Sequence, residues 1–495
     1  MTFRHGWLTI GMGVASVVLS ILIVPQLKFR LMPFADRDQF AVEIYLPKGK
    51  GIAKTEQIAD SIYNLLKADK RVTSITSFIG CSSPRFQMSY APQMASRNYA
   101  QFIVNTTSAE DTEDILDEYA DKYSEKYPDA FVKFKQLDYQ TVPSLEFRFY
   151  GEDIDSLHRA ADMLMDSMRV IPELMWVHTD YGNRVPIADV KLDAVKAPQL
   201  GISRAGTEID LSMATNGINL GNVWEGDYSL PIMLKNKDED SISLGDIKNI
   251  NVPAIKPTQS VPLRQIADVS TIWTEEKIIH RNGMRCISVS AELRRDANAL
   301  TLISRIDNMI KVNMADKLPA GVTYELGGEY EYDMETLPPI MSGIGISLII
   351  IFFFILINFK KFGITIVSML SMSLCLFGAM IGLWISGKTI SITSVFGFIT
   401  LLGMIVRNVI LMYQHAEDLR IGHKICAHDA AYDAGKRRMV PIFLTTATTA
   451  AGVIPMITGG STFWMPVGVT IFAGGIGSLI LLVTILPVLY WKIYK

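Results

Sequence analysis

Six long apolar stretches set the strongest limit on how this chain can fold. Each is almost free of charged residues and has close to the roughly 20 residues that an α-helix needs to cross a membrane. They lie at Trp7–Val24, Ile340–Ile357, Phe362–Ile385, Ile390–Tyr413, Pro441–Ile457 and Val467–Trp491. The first is too long for the core of a secretory signal, and no small-residue cleavage pattern follows it, so we expect a retained anchor. The sequence therefore predicts a membrane α-helical bundle with six transmembrane helices.

Composition and motifs argue against several other classes of protein. The 495 residues carry a net charge of −3 and no basic stripe with interleaved aromatic residues, so nucleic acid is not expected as a partner. The four cysteines have neither metal-binding nor redox spacing. We find no nucleophile–base pair, phosphate-binding glycine loop or ATPase motif. We therefore expect no enzymatic activity, no cofactor and no resident metal, and an ion gradient as the energy source.

Basic residues near the helix ends predict the orientation in the membrane, because Lys and Arg mark the cytoplasmic side. Among the short loops, one side carries only Lys388. The other side carries Arg4, Lys360, Lys361, Arg420, Lys424, Lys436, Arg437, Arg438, Lys492 and Lys495. Both termini are thus expected in the cytoplasm of a bacterium, with the bundle in the inner membrane. The long segment between the first two spans would then lie in the periplasm.

This long segment alternates between strand and helix patterns. Its first part has extended runs around two helices with apolar periodicity, and the runs are Phe40–Leu46, Val72–Ile79, Tyr99–Asn105 and Phe131–Leu137. The order β-α-β-β-α-β is the ferredoxin-like split arrangement. A second unit of this kind begins at Leu145–Tyr150 and resumes only at Ile287–Leu293. We expect the residues between about Tyr181 and Asp268 to form an inserted subdomain.

Five short stretches carry a resemblance to a known family, and the first, Pro33–Gln39 leading to Leu46-Pro47, is similar to that family's exit from its seventh helix. Gly403–Ile410 and Arg438–Thr445 are similar to the tenth and eleventh helices of transporters of the resistance–nodulation–division (RND) type. Leu200–Ser203 and Ile279–Arg285 resemble stretches of the docking and porter regions of that family. These similarities occur in order along essentially the whole chain. The chain therefore resembles the C-terminal half of an RND inner-membrane transporter of the hydrophobe/amphiphile efflux type, which usually contains two such repeats.

The resemblance implies a domain plan. It consists of the bundle and an α+β periplasmic porter domain, built from two ferredoxin-like split βαβ units with an inserted docking subdomain. The implied parts are 1–28, the family's helix 7; 36–138, porter subdomain 1; 143–180 with 270–332, porter subdomain 2; 181–269, the docking subdomain; and 338–495, the five helices 8–12.

Arg407 is the one formally charged residue well inside an apolar stretch. An arginine at a helix centre costs roughly 2.5–3.5 kcal/mol on insertion scales, so it needs either a partner or an exit to the nearby helix end. The resemblance favours a partner, because the family's tenth helix typically has a lysine here that pairs with two carboxylates of the fourth helix. Arginine does not deprotonate in proteins. Arg407 would therefore be a fixed counter-ion whose carboxylate partners carry the proton.

Three further residues are candidates for ion coupling by resemblance. Thr445 matches a relay threonine of the eleventh helix, Asn408 adjoins the cation, and Arg438 matches a basic residue at the cytoplasmic mouth. Ordinary hydrogen bonding also accounts for the first two, and positive-inside anchoring accounts for Arg438. None of the six apolar stretches contains Asp or Glu. A second transporter half is thus expected to supply membrane carboxylates.

Candidate substrate contacts lie in and beside the segment 78–98, which resembles the flexible pocket loop of the first porter subdomain. The family lines a drug pocket there with aromatic side chains, which suit amphiphilic ligands of varied shape. The residues predicted to contact substrate are Phe78, Phe86, Tyr90 and Phe102. Alternating strand packing explains the last of these as well.

We predict that the chain is half of a tripartite efflux pump that is driven by the proton-motive force and exports small amphiphilic compounds or drugs. The resemblance implies a homotrimer of complete protomers in the lipid bilayer, a periplasmic adaptor protein and an outer-membrane channel. One alternative is heavy-metal export, which Met88 and Met94 suggest through their thioethers, although irregular packing also explains both. Another is a non-transporting membrane protein, such as a protein-export accessory or a sterol-sensing relative. The docking-like insertion favours the pump.

Overall fold

The chain begins with the first predicted membrane helix, α1 (Gly6–Ile23). A computed structural model describes residues 3–494 except 34, 87–89, 125, 138–141, 183, 236–242, 255–259, 276, 296 and 315. The buried side of α1 consists of small or hydroxyl-bearing residues, namely Gly6, Thr9, Gly13, Ser16 and Ser20. Its large apolar residues are exposed. This arrangement suits a membrane helix, since lipid covers the apolar side and small residues permit close packing between helices.

The first split unit confirms the predicted β-α-β-β-α-β order. Its elements are β1 (Gln39–Tyr45), α2 (Ile52–Lys67), β2 (Val72–Ile79), β3 (Tyr99–Thr106), α3 (Ala109–Tyr123) and β4 (Phe131–Gln136). The strands form an antiparallel sheet in the order β2-β3-β1-β4. Alternate residues of β1, such as Phe40, Val42 and Ile44, pack in the core with the two helices. Ala41, Glu43 and Tyr45 therefore lie on the opposite face of the sheet. Residue 138, the predicted end of this unit, is outside the described residues.

The second split unit opens in the same way, and an inserted unit then interrupts it. Its opening elements are β5 (Leu145–Tyr150), α4 (Ile154–Arg169) and β6 (Leu174–Thr179). The inserted unit is compact in itself and comprises Tyr181–Ile278 together with Pro47–Gly49. It therefore extends past the predicted boundary at residue 269. Its elements are β7 (Val185–Leu192), α5 (Lys196–Gln199), α6 (Arg204–Thr215), β8 (Ile218–Glu225), β9 (Tyr228–Leu234), α7 (Leu244–Asn249), β10 (Asn251–Pro253), β11 (Ser260–Pro262) and β12 (Ala267–Thr274).

The inserted unit contains a hairpin that contributes nothing to the unit's own core. That core is formed by Ile202, Val252, Leu263, Ile266 and neighbouring residues. In the part of the chain that the structure describes, strands β8 and β9 pair only with each other, and nearly all their residues are exposed. The exposed side chains include Trp224 and Tyr228 at the tip. Isolated two-stranded hairpins are marginally stable in water, so this hairpin is suited to being covered by another protein surface.

After the insertion the chain completes the second split unit. The remaining elements are β13 (His280–Arg281), β14 (Met284–Leu293), α8 (Ala299–Met309) and β15 (Thr323–Gly327). The main sheet order is β6-β14-β5-β15, with β13 paired to the start of β14. This is the order of the first unit repeated with new strands. The second predicted split unit is thereby confirmed.

Five more membrane spans follow and complete the six that are found among the described residues. They are α9 (Glu329–Phe359), α10 (Phe362–Met372) with α11 (Cys375–Ile385), α12 (Ile392–Glu417), α13 (Ala427–Thr458) and α14 (Met465–Ile493). Close approach of α11 and α14 depends on glycine, since a Cβ on Gly477 would lie 2.7 Å from the Cα of Gly378. Several helices extend beyond the apolar stretches from which they were predicted, and their ends carry acidic residues.

Candidate functional site

Arg407 lies on α12 with its side chain exposed at the surface of the described structure. Among the described residues, it has no hydrogen-bond or ion-pair partner. The helix continues for ten residues beyond it, to Glu417, which is roughly 15 Å at 1.5 Å per residue. The structure therefore places the charge at a distance from the helix end and, among the described residues, leaves it without a partner.

Arg407 belongs to an exposed stripe along one side of α12. The stripe residues recur every three or four positions, as one helix face requires, and are Phe396, Ile399, Thr400, Gly403, Arg407, Leu411 and Gln414. A Cβ on Gly403 would meet no atom within 4 Å. The exposed side of α9, in contrast, includes Ile349, Phe353 and Ile357. Small and polar residues are typical of helix–helix contacts in membranes, so the α12 stripe is suited to another helix rather than to lipid.

The other predicted coupling residues are not joined to Arg407. Asn408 is buried on an adjacent side of α12. The Thr445 hydroxyl donates to the Ile442 carbonyl of its own helix at 3.1 Å, and Arg438 is half-buried on the same helix, α13. Among the described residues, no hydrogen bond or ion pair connects these side chains. Their proposed roles in ion coupling stay predictions.

A buried acidic residue at the end of α12 was missed by sequence reasoning. Glu417 accepts hydrogen bonds from Lys361, from Tyr490 at 2.8 Å and from Arg420 at 3.1 Å. The Arg420 guanidinium also lies 3.8 Å from the ring centroid of Tyr494. Glu417 lies four residues beyond the apolar stretch, so the sequence pattern does not predict that it is buried. It is buried because α10 and α14 lie close to it. This cluster ties together the ends of three helices.

A polar cluster lies on the sheet face of the first split unit that is opposite its helices. Glu43 on β1 faces Gln101 on β3 directly across the strand pair, and both side chains are buried. The Glu43 carboxyl accepts a hydrogen bond from Tyr45 at 3.2 Å. Among the described residues, no basic side chain lies at ion-pair distance from Glu43. The face therefore holds a carboxyl that is 6% exposed and lacks a counter-charge.

Described residues of the connection between β2 and β3, among them Ser83 and Tyr90, cover this cluster. The Gln101 side-chain oxygen accepts two hydrogen bonds of 2.8 Å, from the Tyr90 hydroxyl and from the Ser83 backbone N–H. Three further polar groups are buried without a partner among the described residues, namely Gln101 Nε2, Ser83 Oγ and the Tyr99 hydroxyl. Such orphaned groups point to an absent water, ion or ligand.

The electrostatics of the cluster keep its tyrosines in the neutral form. Burial, and after it the charge of Glu43, raises the pKa of both Tyr45 and Tyr99 far above the usual range. Their hydroxyls therefore remain protonated at physiological pH. The cluster thus presents one carboxyl group together with neutral hydroxyl and amide groups, which can hold a cation or a small polar ligand. The described residues contain no group of three or more His, Cys, Asp or Glu side chains arranged to hold a metal ion.

The four aromatic residues predicted to contact substrate are placed differently from one another. Tyr90 and Phe78 pack together on the polar-cluster face, and Phe86 stacks on Tyr90 with a ring separation of 4.9 Å while staying 43% exposed. Phe102 is fully buried in the core beneath the helices, where it meets Tyr63 edge-on. Strand packing therefore accounts for Phe102, and it lies on the other face from the cluster. Met88 is outside the described residues, and Met94 is exposed.

Comparison with known proteins decides the family. A family model described as the AcrB/AcrD/AcrF family matches residues 1–494. The chain belongs to this family of RND transporters. It is 23% identical over 496 residues to the cobalt-zinc-cadmium resistance protein CzcA of Cupriavidus metallidurans, covering 96% of this chain and 46% of that protein. It is 24% identical over 370 residues to protein HelA of Legionella pneumophila, covering 73% of this chain and 35% of that protein.

A solved structure supports the same fold. A heavy metal efflux pump in crystal form II superposes with a TM-score of 0.83 at 21% identity, covering 98% of this chain and 50% of the pump chain. The RND chain thus spans about half the length of the curated relatives and the solved structure that it matches. The predicted fold class and transporter family are confirmed.

Proposed function

We propose that the chain is one half of an ion-driven efflux transporter whose cargo is a metal cation. The observation that carries the cargo assignment is the buried Glu43 carboxyl, which has no counter-charge among the described residues. A buried carboxylate without a partner is costly, and a bound cation offsets that cost. The names of the relatives, which concern cobalt, zinc, cadmium and heavy metals, support the same class of cargo. Metal export thus replaces the amphiphile export predicted from the sequence as the leading proposal.

The second half, on the same or another polypeptide, would cover the α12 stripe and pair with Arg407. The support is the exposed, unpaired guanidinium among small and polar residues on that helix face. Carboxylates on the covering helix would take up and release protons while Arg407 stays charged. Proton movement through the membrane would then drive the alternation of the periplasmic units.

Assembly with other proteins is proposed from the inserted unit. The β8–β9 hairpin exposes a row of large apolar side chains, which is typical of a protein-binding surface. We propose that it contacts neighbouring protomers of a trimer, a periplasmic adaptor or an outer-membrane channel, with the bundle in the inner membrane of a bacterium. These are the partners implied by the family resemblance.

Export of amphiphilic compounds is the second candidate function. It is favoured by Phe86, which is exposed and stacked on Tyr90 of the polar cluster. An aromatic side chain in this position offers apolar contact area to a ligand. In that case Phe86→Ala should change the spectrum of exported dyes, whereas Glu43→Gln should not.

The test compares Glu43→Gln with Glu56→Gln, a control on the exposed face of α2 in the same unit. Cd²⁺ binding to the purified chain and Cd²⁺ export by cells that also contain the second half are both measured. Loss of a charged ligand should weaken binding and export at least about tenfold, the effect seen for groups supporting a metal site. The control should behave as wild type. Unchanged Cd²⁺ binding in Glu43→Gln would contradict the proposed cargo site.

A further inference from the structure

Lys492, near the end of α14, lies between two indole rings at one end of the membrane bundle. Its ammonium is 4.7 Å from the ring centroid of Trp7 on α1 and 4.9 Å from that of Trp491 on its own helix. The indole faces attract the cation, but they supply no counter-charge for its N–H donors. Among the described residues, no acidic side chain lies at ion-pair distance from it. The lysine is therefore a positioned positive charge that can accept an anion.

A glycine on α1 fixes the position of the lysine stem. Gly6 is buried, and a Cβ there would lie 3.3 Å from Lys492 Cε and 3.4 Å from the Trp491 ring. Because glycine has no side chain, α1 approaches α14 closely and the lysine stem lies against the Gly6 backbone. The ammonium is thus held at the groove between two helices, unlike that of a freely moving surface lysine.

The surroundings of this lysine are basic, aromatic or already paired. Arg4 adds a second positive charge just before α1, is exposed, and has no ion-pair partner in the part of the chain that the structure describes. His428 on α13 packs against the far side of the aromatic pair, with its ring centroid 5.3 Å from that of Trp491. The neighbouring carboxylate of Asp429 is bonded to His428 at 2.8 Å. The groove therefore carries an excess of positive charge.

This end of the bundle lies at the side of the membrane that is predicted to face the cytoplasm. Tryptophan is typical of the boundary between lipid headgroups and hydrocarbon. From Trp7 the outer side of α1 continues into the predicted hydrocarbon region with Leu8 and Met12, which are both exposed. A ligand that covers the whole surface must be anionic at one end and apolar at the other. An anionic phospholipid has this chemistry.

We propose that the groove between α1 and α14 binds the phosphate of an anionic phospholipid of the cytoplasmic leaflet. The phosphate oxygens accept hydrogen bonds from the Lys492 ammonium, and Arg4 provides a second positive charge. The acyl chains lie along Leu8 and Met12 on α1. Basic pockets between membrane helices on the cytoplasmic side bind anionic headgroups in this way. The bound lipid joins the first and last helices of the bundle, and the inference is independent of the proposed cargo site.

The test is a titration of the purified full chain in detergent with phosphatidylglycerol, in which bound lipid is counted by native mass spectrometry. Lys492→Gln should weaken binding about fivefold or more, the change expected for loss of one basic residue beside an anionic headgroup. Lys492→Arg should bind nearly as tightly as wild type, because arginine keeps the charge and the contact with the indole faces. Lys436→Gln, which removes an exposed lysine from α13 on the same predicted side, is the control and should behave as wild type.

Two further titrations identify the ligand. Phosphatidylcholine, whose headgroup has no net charge, and glycerol phosphate, which has no acyl chains, should both bind much more weakly than phosphatidylglycerol. Equal binding of either compound would overturn the assignment to an anionic lipid. The site itself would be contradicted by wild-type affinity in Lys492→Gln, by weak binding in Lys492→Arg, or by an equal loss in Lys436→Gln. Loss of phosphatidylglycerol binding when the second half is added would overturn the proposal too, because a protein surface would then cover Lys492.

Discussion

Arg407 carries a charge that nothing in the described chain neutralises, although it lies within an apolar stretch of α12. If it is the counter-ion of carboxylates on the second half, removing it leaves those groups unpaired in a low dielectric, where they stay protonated. Arg407→Ala should therefore abolish export while the protein inserts normally, because an uncharged helix is easier to insert. Arg407→Lys should keep part of the activity, since the charge remains but the bidentate geometry is lost.

The measurement is Cd²⁺ export at matched protein levels with the second half present. Arg437→Ala, which removes an exposed basic residue from α13, serves as the control and should retain export. Wild-type export by Arg407→Ala would mean that the guanidinium only reaches toward the membrane surface and takes no part in coupling.

At the scale of residues, the sequence revealed Arg407 but not Glu43. A charge inside an apolar stretch stands out because its environment is known from the sequence alone. Glu43 sits in an ordinary alternating strand, and its polar position there predicts exposure to water. It is buried because the segment carrying Ser83 and Tyr90 covers that face, a long-range contact that no local pattern encodes. Phe102 is the opposite case, because the alternation of β3 by itself predicts that this side chain lies in the core.

At the scale of elements, the Glu417 cluster fixes the ends of α10, α12 and α14. Glu417→Gln removes a buried charge and leaves Lys361 and Arg420 without their carboxylate. Both basic side chains keep some contact with solvent. We therefore expect the free energy of unfolding to fall by about 1–3 kcal/mol, less than for a fully buried pair. A denaturant titration of the chain in detergent measures this free energy of unfolding. Asp418→Asn, at the exposed neighbouring position, is the control. Equal stability of the two variants would contradict a structural role for the cluster.

The elements themselves were largely predictable from the sequence, and their irregularities were not. Strands β2 and β5 have the predicted bounds, because their apolar alternation is clear and turns flank them. The bulge at Trp176 could not be predicted, since nothing in the run Leu174–Thr179 marks a left-handed residue. It depends on the fit between β6, β14 and the first split unit. Helix α12 likewise extends beyond its apolar stretch because Glu417 finds partners on other helices.

At the scale of the whole molecule, the chain spans about half the length of the relatives that it matches. It provides six membrane spans, two split units and an inserted unit, but its apolar stretches contain no acidic residue. The proposed transporter therefore divides the work between two halves. In this proposal the chain offers a fixed positive charge and a cargo site, and the second half offers the groups that bind protons.

The most direct test of this division is metal export from cells that contain this chain alone, the second half alone, or both. Intracellular and periplasmic Cd²⁺ is followed after loading, at matched protein levels and with the membrane gradient intact. The account predicts export only when both halves are present, and its loss when the proton gradient is collapsed. Full export by this chain alone would contradict the central claim that its membrane part lacks the proton-binding groups.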